Sequence, residues 1–188
     1  MAQAKYAFQG YNQGMMARAI GRDLDVSPKQ AIEICNRLRR KSLTRAKQIL
    51  QDAITMRKPI EFTRFTNGLG HKPGHMAAGR YPIKASQTIL ALLESAEVNA
   101  QSKGLNTSNL AIIHLCAHRA NEPFHPGRQR RSQMKRAHIE VVMQEAAPAA
   151  GEAASTKKER KKNDKNDKKH QQKKETFNPH ANTGGSEQ

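Results

Sequence analysis

Hydrophobic and polar positions along the 188-residue chain change period from segment to segment. Over residues 16–26 the apolar Met16, Ile20, Leu24 and Val26 alternate loosely with polar neighbours, Arg18 and Arg22 among them, and predict a strand with those four on one face. Ser27-Pro28-Lys29-Gln30 then reads as a helix start: Ser27 can cap, Pro28 sits where a missing N–H costs nothing, and Gln30 completes a capping box. Ala31, Ile34, Cys35 and Leu38 keep helical spacing, and Arg37, Arg39, Arg40 and Lys41 place cations near the negative end of the helix dipole. Ser42 can cap a second helix whose stripe is Leu43, Ala46, Leu50, Ala53 and Ile54. So short a connection predicts a helical hairpin. Residues 57–80 have no regular period, and a compact domain rarely holds so long an irregular stretch without a functional reason. Pro82 opens a third helix with Ile83, Ile89, Leu90, Leu93, Ala96 and Ala100 apolar and Gly104 as its stop. Two further strands are predicted over residues 110–117 and 137–143. On the second, Ile139, Val141 and Met143 alternate with His138, Glu140 and Gln144, the pattern of a half-solvated antiparallel strand.

The insert between those two strands carries the strongest functional signal. Residues 119–136 read R-A-N-E-P-F-H-P-G-R-Q-R-R-S-Q-M-K-R. Ordering 18 residues costs roughly 18–36 kcal/mol of backbone entropy, and only Phe124 and Met134 are sizeable apolar groups. Six cations face a single acid, Glu122. The expectation is that an anionic partner supplies the order.

Charge extends this reading to the whole chain. Lys plus Arg number 33 against 16 Asp plus Glu, a net of +17 and a pI near 10.3, which favours polyanions and says little about fold. Residues 1–145 hold 23 cations and 10 acids (+13), and residues 146–188 hold 10 and 6 (+4), so the excess is not confined to a tail. The first 15 residues read as a polar and aromatic arm. Residues 146–188, poor in apolar groups and rich in charge, predict a disordered basic tail. Cys35 and Cys116 form no CxxC pair and suit free thiols in a reducing compartment. There is no apolar leader and no 18-residue apolar run, so the expectation is a soluble, cytoplasmic protein without membrane contact.

Other chemistries fit poorly. His71 and His75 bracket K-P-G in a loop, and Cys116 lies near His114 and His118, but neither group has the spacing of a zinc site. The glycines of 68–74 match neither a Walker loop nor a dinucleotide fingerprint. Set beside His71 and Lys72, they suit close approach of backbone to a phosphate chain. No paired acids suggest magnesium-dependent catalysis. The expectation is a protein with no cofactor, metal or catalytic residue.

Several motifs together resemble one family. S-P-K-Q-A at residues 27–31, R-R-K-S at 39–42, G-R-Y-P-I-K at 79–84, E-S-A-E-V-N-A at 94–100, and G-R-Q-R-R followed by H-I-E-V-V look like the universal large-subunit ribosomal protein L-twenty-two, archaeal or eukaryotic type. The likeness spans residues 12–145 in one order. It implies an α+β domain in which three helices pack on a small three-stranded antiparallel sheet. It also implies one long β-hairpin, here residues 110–145, that reaches through ribosomal RNA to the wall of the nascent-peptide tunnel. On that basis Arg18, Arg22, Lys29, Lys41, Arg64, His71, Lys72, Arg80 and Lys84 are expected to meet RNA from the globular face. Arg119, Arg128, Arg130, Arg131, Lys135 and Arg136 are expected to anchor the hairpin, with Pro123, Phe124, His125, Pro126 and Gly127 lining the tunnel. The implied partners are large-subunit ribosomal RNA, neighbouring ribosomal proteins and the nascent polypeptide. A nucleic-acid-compacting or RNA-chaperone protein outside the ribosome, or a basic RNA-processing enzyme, would share the same charge pattern.

Overall fold

The computed structural model describes residues 6–74, 76–128 and 131–145. Of the two units into which the chain divides, Met1–Ala147 and Pro148–Gln188, the second lies outside the described residues, and with it the tail expected to be disordered. The elements follow in the order β1 (Met16–Leu24), α1 (Pro28–Leu38), α2 (Leu43–Ile54), β2 (Ile60–Glu61), β3 (Gly79–Arg80), α3 (Ile83–Ser102), a single 3-10 turn (Thr107–Asn109), β4 (Leu110–Arg119) and β5 (Ala137–Glu145). The fold is the expected α+β arrangement: three helices on a three-stranded antiparallel sheet of order β1-β5-β4. Among the described residues no helix is long and apolar enough to cross a membrane.

The core lies between the helices and one sheet face. Ile139, Val141 and Met143 of the central strand are fully buried there, with Ile112 and Leu115 of β4. The helical stripes read from the sequence are the ones that pack: Ala31, Ile34, Cys35 and Leu38 of α1, Leu43, Ala46, Leu50 and Ala53 of α2, and Ile89, Leu93, Ala96 and Ala100 of α3. Gly104, at φ +74°, ends α3 in the left-handed conformation that a side chain would strain.

Four local expectations need correction. β1 ends at Leu24 and buries Ala17 and Ala19 in the core, whereas Met16 and Ile20 face the other side of the sheet. Small residues on β1 let α3, itself lined with Ala96 and Ala100, come close. Ser27 and Ser42 sit at the cap positions but neither side chain makes the capping hydrogen bond. The first two helices do not form a helical hairpin: α1 packs chiefly on β4 and α2 chiefly on α3. Their linker instead joins β4, with Arg40 N–H donating to Ile112 O and Ile112 N–H donating to Lys41 O, both at 2.9 Å. Arg40 takes a left-handed φ of 62° to make that turn.

The fourth correction concerns residues 57–80, which are not wholly irregular. Ile60–Glu61 pairs with Gly79–Arg80 as a two-residue ladder, and Phe62 N–H donates to Ala78 O at 3.0 Å. Gly79 is required for closeness: a Cβ there would stand 3.1 Å from Ile60 O and from Met76 Sδ.

Candidate nucleic-acid interface

The loop after β2 is fixed from below by an acid. Glu33 projects from α1 and is 2 % exposed. Its carboxylate accepts from Arg64 N–H (2.7 Å) and Phe65 N–H (2.8 Å), and at longer range from Thr63 N–H (3.3 Å) and Thr63 Oγ1 (3.4 Å). Backbone donors converging on one carboxylate fix the direction of Arg64 and Phe65. Both then line a cavity of about 370 Å³ together with Lys29 from the first turn of α1, Arg80 from β3 and Lys135 from the hairpin base. Four cations expected separately at residues 29, 64, 80 and 135 thus converge. No acid lines the cavity, and among the described residues none of the four is ion-paired. Lys29 Nζ and Arg64 Cζ lie 5.6 and 5.3 Å from the Phe65 ring centroid, within cation–π range.

The opposite face of the sheet is covered by the arm. Ala7 N–H donates to Glu140 Oε2 at 2.9 Å, and the Phe8 and His114 rings lie 5.4 Å apart. Glu140 is 5 % exposed and Val142 1 %, so β5 is not half-solvated as its alternation suggested. His114 and His118 each place Nε2 3.8 Å from the Glu140 carboxylate. Burial holds the His114 imidazole below its usual range, against the pull of Glu140, and burial raises the Tyr6 hydroxyl. Arg18 carries its guanidinium over two arm rings, 4.6 Å from the Tyr6 centroid and 4.4 Å from that of Tyr11. The border of β1 is tied down as well: Met16 O accepts from Tyr11 Oη (3.0 Å) and Lys103 Nζ (2.9 Å), and Arg18 O from Asn99 Nδ2 (3.0 Å). A larger concavity on this face, about 730 Å³, is lined by Arg22 but also by Asp23 and Glu140. Acids there oppose a polyanion, so Arg22 does not join the first group.

The remaining expected cations are scattered. Lys41 is half-buried in the linker beside β4, and Lys84 at the start of α3 is ion-paired with Asp25, whose carboxyl the lysine hydrogen bond holds below its usual range. Lys72 lies 5.5 Å from the Tyr81 ring centroid, and His71 bridges to Ala78 in the same loop. Among the described residues no group of three or more His, Cys, Asp or Glu side chains could hold a metal ion.

The hairpin insert carries cross-strand pairing that its composition did not suggest. Ala120 N–H donates to Arg136 O (3.1 Å), Met134 N–H to Pro123 O (2.8 Å) and His125 N–H to Ser132 O (2.7 Å), so pairing runs on to Phe124 opposite Gln133. Backbone bonds need no core, so this pairing forms without the apolar groups that the insert lacks. Phe124 is 65 % exposed, and Pro123, His125, Pro126 and Gly127 are exposed with it. Arg128 and Arg131 are exposed, whereas Arg130 lies outside the described residues. Two arginines are already engaged: Arg119 forks onto Glu122 at 3.1 and 2.8 Å, and Arg136 Nη1 donates to Asp23 O at 3.0 Å. That fork raises the Arg119 guanidinium and lowers the Glu122 carboxyl.

Glu33 and Glu140 were missed as organisers of the surface. The signal that could have found Glu33 is an isolated acid in a basic segment one position off the apolar stripe.

Residues 19–144 match the family described as ribosomal protein L22p/L17e. The large ribosomal subunit protein uL22 of Methanocaldococcus jannaschii is 38 % identical over 152 residues, covering 77 % of this chain and 97 % of the relative. Its counterpart in Methanoculleus marisnigri is 39 % identical over 156 residues (78 % and 100 %), and that of Staphylothermus marinus 35 % over 150 (74 % and 96 %). With most of the folded unit inside the match, and relatives covered almost end to end, the chain belongs to the ribosomal protein L22p/L17e family.

Proposed function

We propose that residues 1–145 bind ribosomal RNA through the Lys29–Arg64–Arg80–Lys135 cleft and the hairpin arginines, and that the tip around residues 123–127 lines the nascent-polypeptide tunnel. As a family member the chain is a structural protein of the large subunit in the cytoplasmic ribosome. It has ribosomal RNA and other ribosomal proteins as partners, and it is not an enzyme. The observation that carries the finer reading is the convergence of four cations, none ion-paired among the described residues, on a cleft with no acid in its lining. Such a surface neutralises phosphates and releases counterions, and arginine adds a bidentate fork. The hairpin supports the second half of the reading by its reach: pairing runs out to His125 opposite Ser132, and the turn beyond it holds Pro126 and Gly127 beside the exposed Arg128 and Arg131.

Variants incorporated in cells and followed on sucrose gradients test the division of labour. Charge reversal at Lys29, Arg64 and Arg80 together should deplete the protein from large subunits. Replacing residues 121–133 by a short turn should leave it there but alter passage of nascent chains. For isolated protein and RNA, about 6–10 phosphate contacts predict a fall of roughly 10³–10⁵ in affinity from 50 to 200 mM salt. Normal incorporation of the triple reversal, or a flat salt response, would refute the proposal.

A further inference from the structure

Resting on the RNA-binding reading, we infer that the cavity between the start of α1 and the loop after β2 receives one nucleotide extruded from an RNA helix. Its phosphate would lie on the cations and its base against Phe65.

A duplex backbone needs only a cationic surface. This site is concave, and its volume of about 370 Å³ falls within the roughly 300–1,000 Å³ typical of small-ligand pockets. Its lining is also mixed. Beside the cations stands the half-buried ring of Phe65, and Gln30 and Asn67 bring side-chain amides that can donate and accept at a base edge. Single unstacked bases are recognised by an aromatic face, edge-reading polar groups and a nearby positive charge.

The site is held ready. Glu33 fixes the backbone of residues 63–65, so the ring does not need ordering at the moment of binding. Lys29 and Arg64 rest near the ring in the free protein. Both are long and exposed, so they can turn to a phosphate as a base takes their place. The ligand is a nucleotide within a chain: the sequence has no Walker loop or dinucleotide fingerprint, and no acid lines the site to hold a magnesium ion or ribose hydroxyls.

Two short RNA duplexes separate this inference from general RNA binding, one fully paired and one with a single-nucleotide bulge carrying 5-bromouridine. The full chain should bind both with the same salt dependence and favour the bulged one by about 5- to 150-fold, the range of one aromatic–base stack. Irradiation should crosslink the bulge within residues 62–67. Phe65→Leu should lose the preference while keeping its affinity for the paired duplex, and Phe65→Tyr should retain it. Equal binding of the two RNAs by the wild type, a crosslink elsewhere, or an unchanged preference in Phe65→Leu would overturn the pocket and leave RNA binding standing. Binding to neither RNA would overturn both.

Discussion

Removing the Glu33 carboxylate should loosen the cleft and lower stability by a predictable amount. Glu33→Ala leaves two well-aligned backbone donors, the N–H groups of Arg64 and Phe65 at 2.7 and 2.8 Å, without their acceptor. A hydrogen bond to a charged group contributes about 1.5–3 kcal/mol, and an orphaned buried donor costs about 1–3. The contacts from Thr63, at 3.3 and 3.4 Å, add less. Thr63 and Arg64 are exposed, so water can reach part of the vacated site, and the expected loss is about 2–4 kcal/mol. For a domain of this size that is a fall in Tm of roughly 6–16 °C. Glu33→Gln keeps one acceptor oxygen but turns an NH2 toward donors, so its loss should be about half. Thermal unfolding by circular dichroism gives the magnitude, and amide exchange at residues 63–65 gives the location. A Tm within about 2 °C of wild type for Glu33→Ala, with exchange unchanged at those amides, would refute the clamp.

Acid should weaken the fold through His114. Burial lowers its folded pKa below the usual 6.5, so the unfolded chain takes up that proton first; stability is full above 6.5 and declines as pH falls toward the folded value. Melts from pH 7.5 to 5.5 should show a smaller decline in His114→Gln than in wild type, and identical profiles would argue against it. Cys35 is 1 % exposed with its thiol pushed up to about 12, so maleimide should label it only on unfolding; prompt labelling in native buffer would contradict its burial. Leu93→Ala, at a fully buried position of α3, should cost about 2–5 kcal/mol in urea unfolding, and a loss under 1 would mean that the site collapses around the smaller side chain.

What was legible in the sequence was whatever repeats locally. The stripes of α1, α2 and α3, and the core face of β5, follow from period alone because each buries one side against a single neighbour. The face of β1 was misread because Met16 and Ile20 weigh more on any hydrophobic count than Ala17 and Ala19. Close approach of α3 selects for small size instead. The β2–β3 ladder is too short to leave a period, and the Glu33 clamp joins residues about 30 apart. The cations of the cleft could be named singly, since each is exposed and basic, but their meeting depends on four segments between residues 29 and 135. The capping motifs failed differently: Ser27 and Ser42 occupy the right positions, yet position alone does not make the hydrogen bond.

The pairing of the α1–α2 linker with β4 bears on the life of the chain before it reaches RNA. A three-stranded sheet ordinarily offers two rows of free N–H and C=O groups on which a second chain can template a further strand. Here one row is met at Ile112 by Arg40 and Lys41, and the other is met at Met16 and Arg18 by Tyr11, Lys103 and Asn99. The hairpin beyond the sheet has no such cover, but its like charges repel another copy of itself. Part of each margin is thus occupied by residues of the same fold, which shortens the free edge on which a second copy could template a strand before the protein joins the large subunit.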